Sequence, residues 1–189
     1  MQAVEHWPDL YALIVQLWMK NIEMNKTTTL HFFCGKMAAG KSTLARTLAE
    51  KNGGVLLRED HWLAQLYPEE ITDIPGYLKY SSRLKNVFSS HIQALLAQGV
   101  SVILDFPGNT KEQRNWFRTI YTQANVAHAL HFIDVSDAVC KHQLKERSKD
   151  KPNGAAFTSE QEFDAITKYY QAPSESEGFN IIKYARNNI

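Results

Sequence analysis

The run Thr28-Thr29-Leu30-His31-Phe32-Phe33-Cys34, followed by Gly35-Lys36-Met37-Ala38-Ala39-Gly40-Lys41-Ser42, decides how the rest of the chain is read. Residues 28–34 are rich in β-formers and stop at a glycine, the pattern of a short strand. Gly35 to Ser42 then satisfies G-x-x-x-x-G-K-[ST] at every defined position, and Lys41 to Lys51 follows with Leu44, Ala45 and Leu48 at helical spacing. Strand, glycine-rich turn and helix in that order make a phosphate-binding loop. The glycines let backbone N–H groups turn inward around a β-phosphate, and the helix adds the positive end of its dipole. Lys41 supplies a point charge for the β- and γ-phosphates, and the Ser42 hydroxyl can coordinate Mg²⁺. Gly35, Lys36, Met37, Ala38, Ala39, Gly40, Lys41, Ser42 and Thr43 are therefore the expected nucleotide-binding residues. A chance match of this kind is expected in under ~1% of chains of this length. That weighs against a glycine-rich turn that binds nothing.

Outward from the loop, strand-like and helix-like segments alternate. Gly54 to Leu57 reads as a second strand ending in the charged cluster Arg58-Glu59-Asp60. After Pro75-Gly76 a helix is expected over Tyr77 to Gln98, stopped by Gly99. Val100 to Leu104 reads as a third strand with Asp105 at its end. Thr110 to Gln123 reads as a helix with Trp116, Phe117, Ile120 and Tyr121 on its apolar face, and His128 to Val135 as a fourth strand. Ser136 is expected to cap a helix running to about Arg147. A polar, turn-rich segment, Ser148 to Thr158, interrupts the pattern. Ser159 and Glu162 then spell a capping box for a helix ending near Tyr170, and Asn180 to Tyr184 offers a fifth strand. This alternation predicts an α/β, three-layer P-loop fold: a five-stranded, mostly parallel sheet with helices on both faces and a short lid at about 148–158. Ligands in such sheets lie at the carboxyl ends of the strands, so Gly35, Asp60 and Asp105 are expected to converge.

Three further elements carry chemistry. Val100-Ser101-Val102-Ile103-Leu104-Asp105 has the form of an apolar strand ending in a carboxylate that can hold Mg²⁺ opposite Ser42, although strands also end in Asp as turn chemistry. Asp60 is the candidate base, because a hydroxyl attacking phosphorus must shed a proton. Glu59 competes for that role, a solvated acidic turn is the plain alternative, and His61 serves only if Asp60 points away. In the lid segment Lys145, Arg147, Lys149 and Lys151 gather at its start. Arg147 is favoured as the cation for the transferring phosphoryl group because its donors form a fixed fork, against the rival reading of a solvated basic helix end.

The remaining residues read as structure. The seven histidines show no metal-ligand spacing, and His128 and His131 fall on opposite faces of one strand. Cys34 is expected in the core. Arg114 and Arg118, one helical turn apart, could meet an acceptor phosphate, with surface exposure the simpler expectation. No G-x-S-x-G or Cys/His nucleophile pattern occurs.

The 189 residues are 44% hydrophobic and 22% charged, enough for one well-cored domain and too apolar for a disordered chain. Lys plus Arg (21) against Asp plus Glu (20) gives a net charge of +1, without the basic excess of a protein that neutralises a nucleic-acid backbone. Two cysteines cannot build a disulfide framework and read as thiols in a reducing, cytoplasmic setting. Leu10 to Met19 is a ten-residue, nearly apolar run, short of the ~20 a membrane span needs and without a basic start, so residues 1–26 are expected as a helical extension and 27–189 as the nucleotide-binding domain. A start at Met24 is the alternative.

With these residues placed, the chain resembles the small bacterial P-loop kinases of the AAA_33 type, a group that includes the kinase domain of polynucleotide kinase, chloramphenicol phosphotransferase and the zeta toxins. The resemblance covers about residues 28–184 and rests on GKMAAGKST, REDHW, VILDF, HFIDV and LKERSKDK. It implies that Asp60, followed two residues later by the aromatic Trp62, is the catalytic base, and that Arg147 is the lid arginine, with Lys151 where some relatives carry a second one. One departure stands out. Relatives with Asp-x-x-Arg at the base hold the acceptor with that arginine, and here the position is Leu63, near Trp62, Leu66 and Tyr67.

The reading is an ATP- and Mg²⁺-dependent phosphotransferase acting on a hydroxyl of a small molecule. Lys41, Asp60 and Arg147 are the catalytic residues, and Ser42 and Asp105 the metal site. No membrane partner is expected, nucleic acid is disfavoured, and the protein is expected to be a monomer or homodimer. Two alternatives remain: a polynucleotide 5′-hydroxyl or nucleotide-sugar kinase, and a regulatory nucleotide switch with slow hydrolysis.

Overall fold

The computed structural model of the protein describes residues 27–150 and 157–185, together with Ala12. The expected extension at Leu10–Met19, apart from Ala12, the possible start at Met24 and residues 151–156 of the expected lid lie outside the described residues.

The chain alternates β1 (Thr29–Cys34), α1 (Lys41–Asn52), β2 (Val55–Arg58), α2 (Glu59–Leu66), α3 (Ile74–Ala97), β3 (Val102–Pro107), α4 (Lys111–Ala124), β4 (Ala127–Asp134), α5 (Asp137–Ser148), α6 (Glu160–Thr167) and β5 (Ile181–Ala185), with a 3₁₀ turn at Glu175–Glu177 before β5. The five strands form one sheet in the order β2-β3-β1-β4-β5. Every pairing is parallel, so the sheet is parallel throughout.

Alternation along β1 builds the layers. Leu30 and Phe32 face a core shared with Leu84, Phe88, Ile92 and Leu96 of α3 and Phe117 and Ile120 of α4. Phe33 faces the other way, onto Ala45 of α1 and Ile103 of β3. A third cluster packs Ala39 against Ile133, Val135, Cys140, Leu144 and Phe163, seating α5 and α6 on the same side as the loop that precedes α1. Burying both faces is what lets the central strands read as continuous apolar runs.

Four boundaries differ from the sequence reading. α3 begins three residues before Tyr77, because Asp73 accepts a hydrogen bond from the Gly76 N–H at 2.8 Å and Pro75 sits in the first turn, where its missing N–H costs nothing. β3 runs to Pro107, so Asp105 lies within the strand, with a register irregularity at Phe32/Phe33 of its partner. The charged cluster after β2 is no turn: Glu59 and Asp60 open the helix α2, where acidic side chains suit the dipole. The helix expected to reach Tyr170 ends at Thr167. Its capping box is present. Burial opposes ionisation of Glu162, yet the N–H groups of Phe157, Ser159 and Thr158 and the Ser159 hydroxyl bring its carboxyl down to about 2.

Arg114 is the main surprise. Expected at the surface, it is 0% exposed. Its Nε and Nη2 donate to the two oxygens of Glu177 at 2.8 Å each, while Nη1 donates to the carbonyls of Gly108 (3.0 Å) and Gln171 (2.8 Å). Arg118, one turn on, donates to the Glu177 carbonyl and lies over the Phe179 ring. The two arginines fasten the segment leading into β5.

His128 and His131 do lie on opposite faces of β4. His128 stacks on Tyr121 of α4, whereas His131, 2% exposed, joins His31 at 3.0 Å and the Tyr184 hydroxyl at 2.9 Å. Burial, and then the neighbouring His31, lower the His131 pKa from 6.5 to about 4. The unfolded chain takes up this proton near pH 6.5 and the folded chain resists until about pH 4, so the contribution is complete above 6.5 and lost between 6.5 and 4. We expect denaturant midpoints to fall across that window by up to about 3 kcal/mol of stability. His131→Gln, titrated in parallel, should flatten that part of the profile, and an unchanged slope would remove His131 as its source.

Candidate active site

The loop between β1 and α1 is shaped by close approach and by unusual backbone. A Cβ on Gly35 would lie 3.0 Å from the Ile133 carbonyl oxygen, so a larger residue there would push the loop away from β4 by a few tenths of an ångström. Gly40 has φ +100°, a conformation glycine adopts without strain, and Ala38 also lies in the left-handed region at φ 59°. Lys41 folds back over the loop, its Nζ donating to the carbonyls of Gly35 (2.6 Å) and Lys36 (2.8 Å). Burial lowers its pKa from 10.5 to about 8, with the Asp105 carboxylate pulling upward and Arg147 downward. Met37, Ala38 and Ala39 pack on the cluster beneath α5, Thr43 is exposed on the first turn of α1, and Lys36 turns aside to pair with Asp137.

Ser42 and Asp105 come together. The Ser42 hydroxyl donates to Asp105 Oδ1 at 3.1 Å. The other carboxylate oxygen, Oδ2, is buried and accepts no hydrogen bond. Burial raises the Asp105 pKa, and the Ser42 hydrogen bond opposes it. A hydroxyl beside a carboxylate with one uncommitted, buried oxygen is a donor set for a hard divalent ion such as Mg²⁺. Among the described residues no group of three or more His, Cys, Asp or Glu side chains is placed to hold a metal.

Asp60 stands across the site. It is exposed, accepts from the His61 N–H at 2.8 Å through Oδ1, and pairs with Arg58 Nη2 at 3.4 Å through Oδ2. Arg147 lies within electrostatic reach of it: burial lowers the guanidinium pKa and the Asp60 charge raises it. Arg147 is exposed by surface area, but its head lies close enough to the protein to lose part of its hydration and donates to the Phe157 carbonyl at 3.4 Å. Of the other cations at the start of the expected lid, Lys149 is taken by Glu146 at 2.6 Å.

Glu59 does not share the site. It is 3% exposed and its two oxygens accept from Tyr77 and Ser81 hydroxyls at 2.6 Å each, with Lys85 at 3.8 Å. That cluster fixes α2 against α3, leaving Asp60, the next residue, to face outward. Leu63 is a core residue, and Trp62, about 200° around α2 from Asp60, packs edge-on against Phe88. Tyr77, which donates to Glu59, is an aromatic group within electrostatic reach of Asp60. Its hydroxyl pKa is raised by burial, then by Glu59, and in part by the Asp60 charge, and its ring meets Phe157 at 5.7 Å.

Residues not singled out from the sequence complete the frame. Asn109 Oδ1 accepts from the Gly35 N–H at 3.1 Å, its own N–H goes to Gln113, and its carbonyl accepts from Gln171. Arg58 stands beside Asp105 in the β2–β3 register. No sequence pattern marks Asn109 or Tyr77, since each is defined by a partner far along the chain.

A phosphate-binding loop on an all-parallel sheet, facing carboxylates at the strand ends, is the architecture of the P-loop kinases. The sequence profile of AAA_33, an AAA domain, matches residues 30–173, and the chain belongs to that family. Solved structures agree on the fold. A candidate kinase from Chloroflexus aurantiacus J-10-fl superposes with a TM-score of 0.65 at 16% identity, over 85% of this chain and 89% of that one. The Mycobacterium tuberculosis APS kinase CysC in complex with AMPPNP and APS gives 0.55 at 20% identity, over 86% and 91%. A gluconokinase from Sinorhizobium meliloti 1021 gives 0.55 at 13%, over 84% and 82%. No curated protein sequence matches the chain. Among the described residues no helix is long and apolar enough to cross a membrane.

Proposed function

We propose that the protein is an ATP- and Mg²⁺-dependent phosphotransferase that moves the γ-phosphate to a hydroxyl of a small molecule, within a domain beginning at residue 27. The contact between Ser42 and Asp105, 3.1 Å apart directly behind Lys41, carries this reading. Gly35 to Thr43 wrap the phosphates. Lys41 and Arg147 meet the charge that builds on the transferring group, where fixed cations act most strongly. Asp60, on the far side, receives the proton of the attacking hydroxyl. Ser42 and Asp105 would hold Mg²⁺, which supplies charge neutralisation at the β- and γ-oxygens.

The APS kinase and the gluconokinase among the fold neighbours support this class of reaction, and so does the nucleotide analogue bound in the APS kinase. Transfer of label from γ-labelled ATP across a panel of alcohols, with Lys41→Met as the blank, tests it. ATP turnover that no alcohol stimulates would favour a nucleotide switch instead.

The buried lysine gives a second test. Above pH 8 a Lys41 with a pKa of about 8 is largely neutral, and binding a triphosphate requires its charged form. ATP affinity should therefore weaken above pH 8, approaching tenfold per unit, with proton uptake on binding. Calorimetry in two buffers of different ionisation heat measures that uptake, and none at pH 8.5 would contradict it.

A further inference from the structure

The connection after β3 carries an amide side chain to which the proposed reaction gives no part. Gly108 brings it close to β1: its N–H donates to the Phe33 carbonyl at 3.0 Å, and a Cβ there would lie 2.6 Å from that oxygen. Asn109, the next residue, has both backbone polar groups committed. Its N–H donates to Gln113 Oε1 at 2.8 Å, and its carbonyl accepts from the Gln171 N–H at 2.8 Å. From that fixed backbone Oδ1 accepts from the Gly35 N–H at 3.1 Å. Gly35 is buried, so water is no ready substitute for this bond. The Gly35 carbonyl in turn accepts from Lys41 Nζ at 2.6 Å, and the Lys36 carbonyl accepts from the same ammonium at 2.8 Å. One glycine therefore meets Asn109 at its N–H and holds Lys41 at its carbonyl.

We infer that Asn109 is a positioning residue for Lys41, acting through Gly35: its Oδ1 fixes the glycine whose carbonyl holds the lysine ammonium over the phosphate loop. This rests on the phosphotransferase reading above and adds a residue to the same site. An ammonium carries three N–H donors. In Lys41 two are spent on the Gly35 and Lys36 carbonyls, which leaves the third for an oxygen of the β- or γ-phosphate. Because the nitrogen is tetrahedral, fixing its bond to Cε and two of its hydrogen bonds fixes the direction of the third. That direction depends on where the Gly35 carbonyl stands. Asn109 sets it from the β3 side, and the close approach of Gly35 to the Ile133 carbonyl sets it from the β4 side.

Two observations separate this role from plain support of the fold. The connection from β3 to α4 is anchored without the Asn109 side chain. Arg114 Nη1 donates to the Gly108 carbonyl, Thr110 and Gln113 form a capping box, and the Lys111 N–H donates to Gln171 Oε1. Among the described residues the Asn109 side chain hydrogen-bonds to Gly35 alone, so its removal leaves those anchors in place. The second observation is the residue it holds. A glycine has no Cβ to confine its backbone, and one whose buried N–H loses its partner can turn to find another, carrying its carbonyl away from Lys41.

The test reads Lys41 directly, in the full chain and without nucleotide. A short pulse of acetic anhydride followed by peptide mass spectrometry gives the acylation rate of each lysine. Asn109→Ala should raise the rate at Lys41 by about tenfold, the loss of one hydrogen bond, and leave the exposed Lys51 of the same helix unchanged. Asn109→Asp, which keeps an acceptor oxygen of the same reach, should hold Lys41 within about twofold of the parent. Asn109→Ser, too short to reach Gly35, replaces the alanine variant if that one does not fold. The alanine variant should also bind ATP about tenfold more weakly by calorimetry. An unchanged rate at Lys41 would overturn the proposal, and so would a rise shared by Lys51, which marks a general loosening of the fold. A faster Lys41 with unchanged ATP affinity, or an Asn109→Asp variant as reactive as Asn109→Ala, would overturn it too. If the parent binds no ATP, or binds it and labels no alcohol, the phosphotransferase reading itself fails, while the acylation rates still decide whether Asn109 holds Lys41.

Discussion

Asp60→Asn should lower kcat for phosphate transfer by about 10²- to 10⁴-fold and leave ATP binding intact. The asparagine keeps the size of the side chain and can still accept the hydrogen bond that Oδ1 takes from the His61 N–H, so α2 keeps its first turn. What is lost is a group able to take a proton from the attacking hydroxyl. The hydrogen bond and ion pair recorded for Asp60 go to His61 and Arg58, and the pair with Arg58 is exposed on both sides, so neither nucleotide affinity nor melting temperature should move appreciably. Single-turnover transfer, read beside nucleotide binding, separates these effects. A fall of less than tenfold would mean that the proton leaves by another route. Glu59 could not supply that route without breaking its bonds to Tyr77 and Ser81.

The largest expected loss of stability lies elsewhere. Arg114→Met removes a side chain with no exposure that makes four hydrogen bonds to Glu177, Gly108 and Gln171 and a longer one to Cys34 Sγ. The methionine fills much of the volume but strands a nearly buried carboxylate and two carbonyls. Breaking a buried pair from one side costs about 3–5 kcal/mol, which in a chain of this size lowers the melting temperature by roughly 10 °C. Glu177→Gln in the same chain should recover part of that loss, because the stranded charge is then gone. Thermal denaturation of the two single variants and the double one gives the coupling directly. If the double variant is no more stable than Arg114→Met alone, the cost is one of packing, not of an unpaired charge.

What the sequence carried well was local. The loop from Gly35 to Ser42 is defined by consecutive residues, and so are the caps at Ser136 and Ser159 and the apolar runs of β1, β3 and β4, so their physics is visible within a short window. What it hid depends on distant partners. Arg114 reads as one of two exposed arginines on a helix until Glu177, 63 residues on, is folded beneath it. Glu59 and Asp60 are adjacent carboxylates of the same type, and only Tyr77 and Ser81 of α3 decide which is buried and which faces the site. The α2 helix was obscured because its eight residues begin with three charged or polar side chains that also suit a turn. Leu63, read as a departure in the acceptor pocket, is in the core, since it lies four residues after the buried Glu59 and so on the same inward face of α2.

The order of strands in the sheet bears on when, in the life of the chain, the protein becomes competent. β1 is synthesised first yet lies at the centre, and both of its neighbours come later: β3 begins at Val102 and β4 at Ala127. The phosphate loop follows β1 directly, but its Gly35 is fitted against Ile133 of β4 and tied to Asn109 after β3. A nascent chain that has passed the loop but not yet residue 134 therefore carries the whole nucleotide signature without the scaffold that shapes it. Such late, non-local pairing slows folding and leaves the apolar edges of β1 open to other chains while synthesis continues. The nucleotide affinity proposed for this protein would thus be a property of the finished sheet, gained only after the ribosome has released about 70% of the chain.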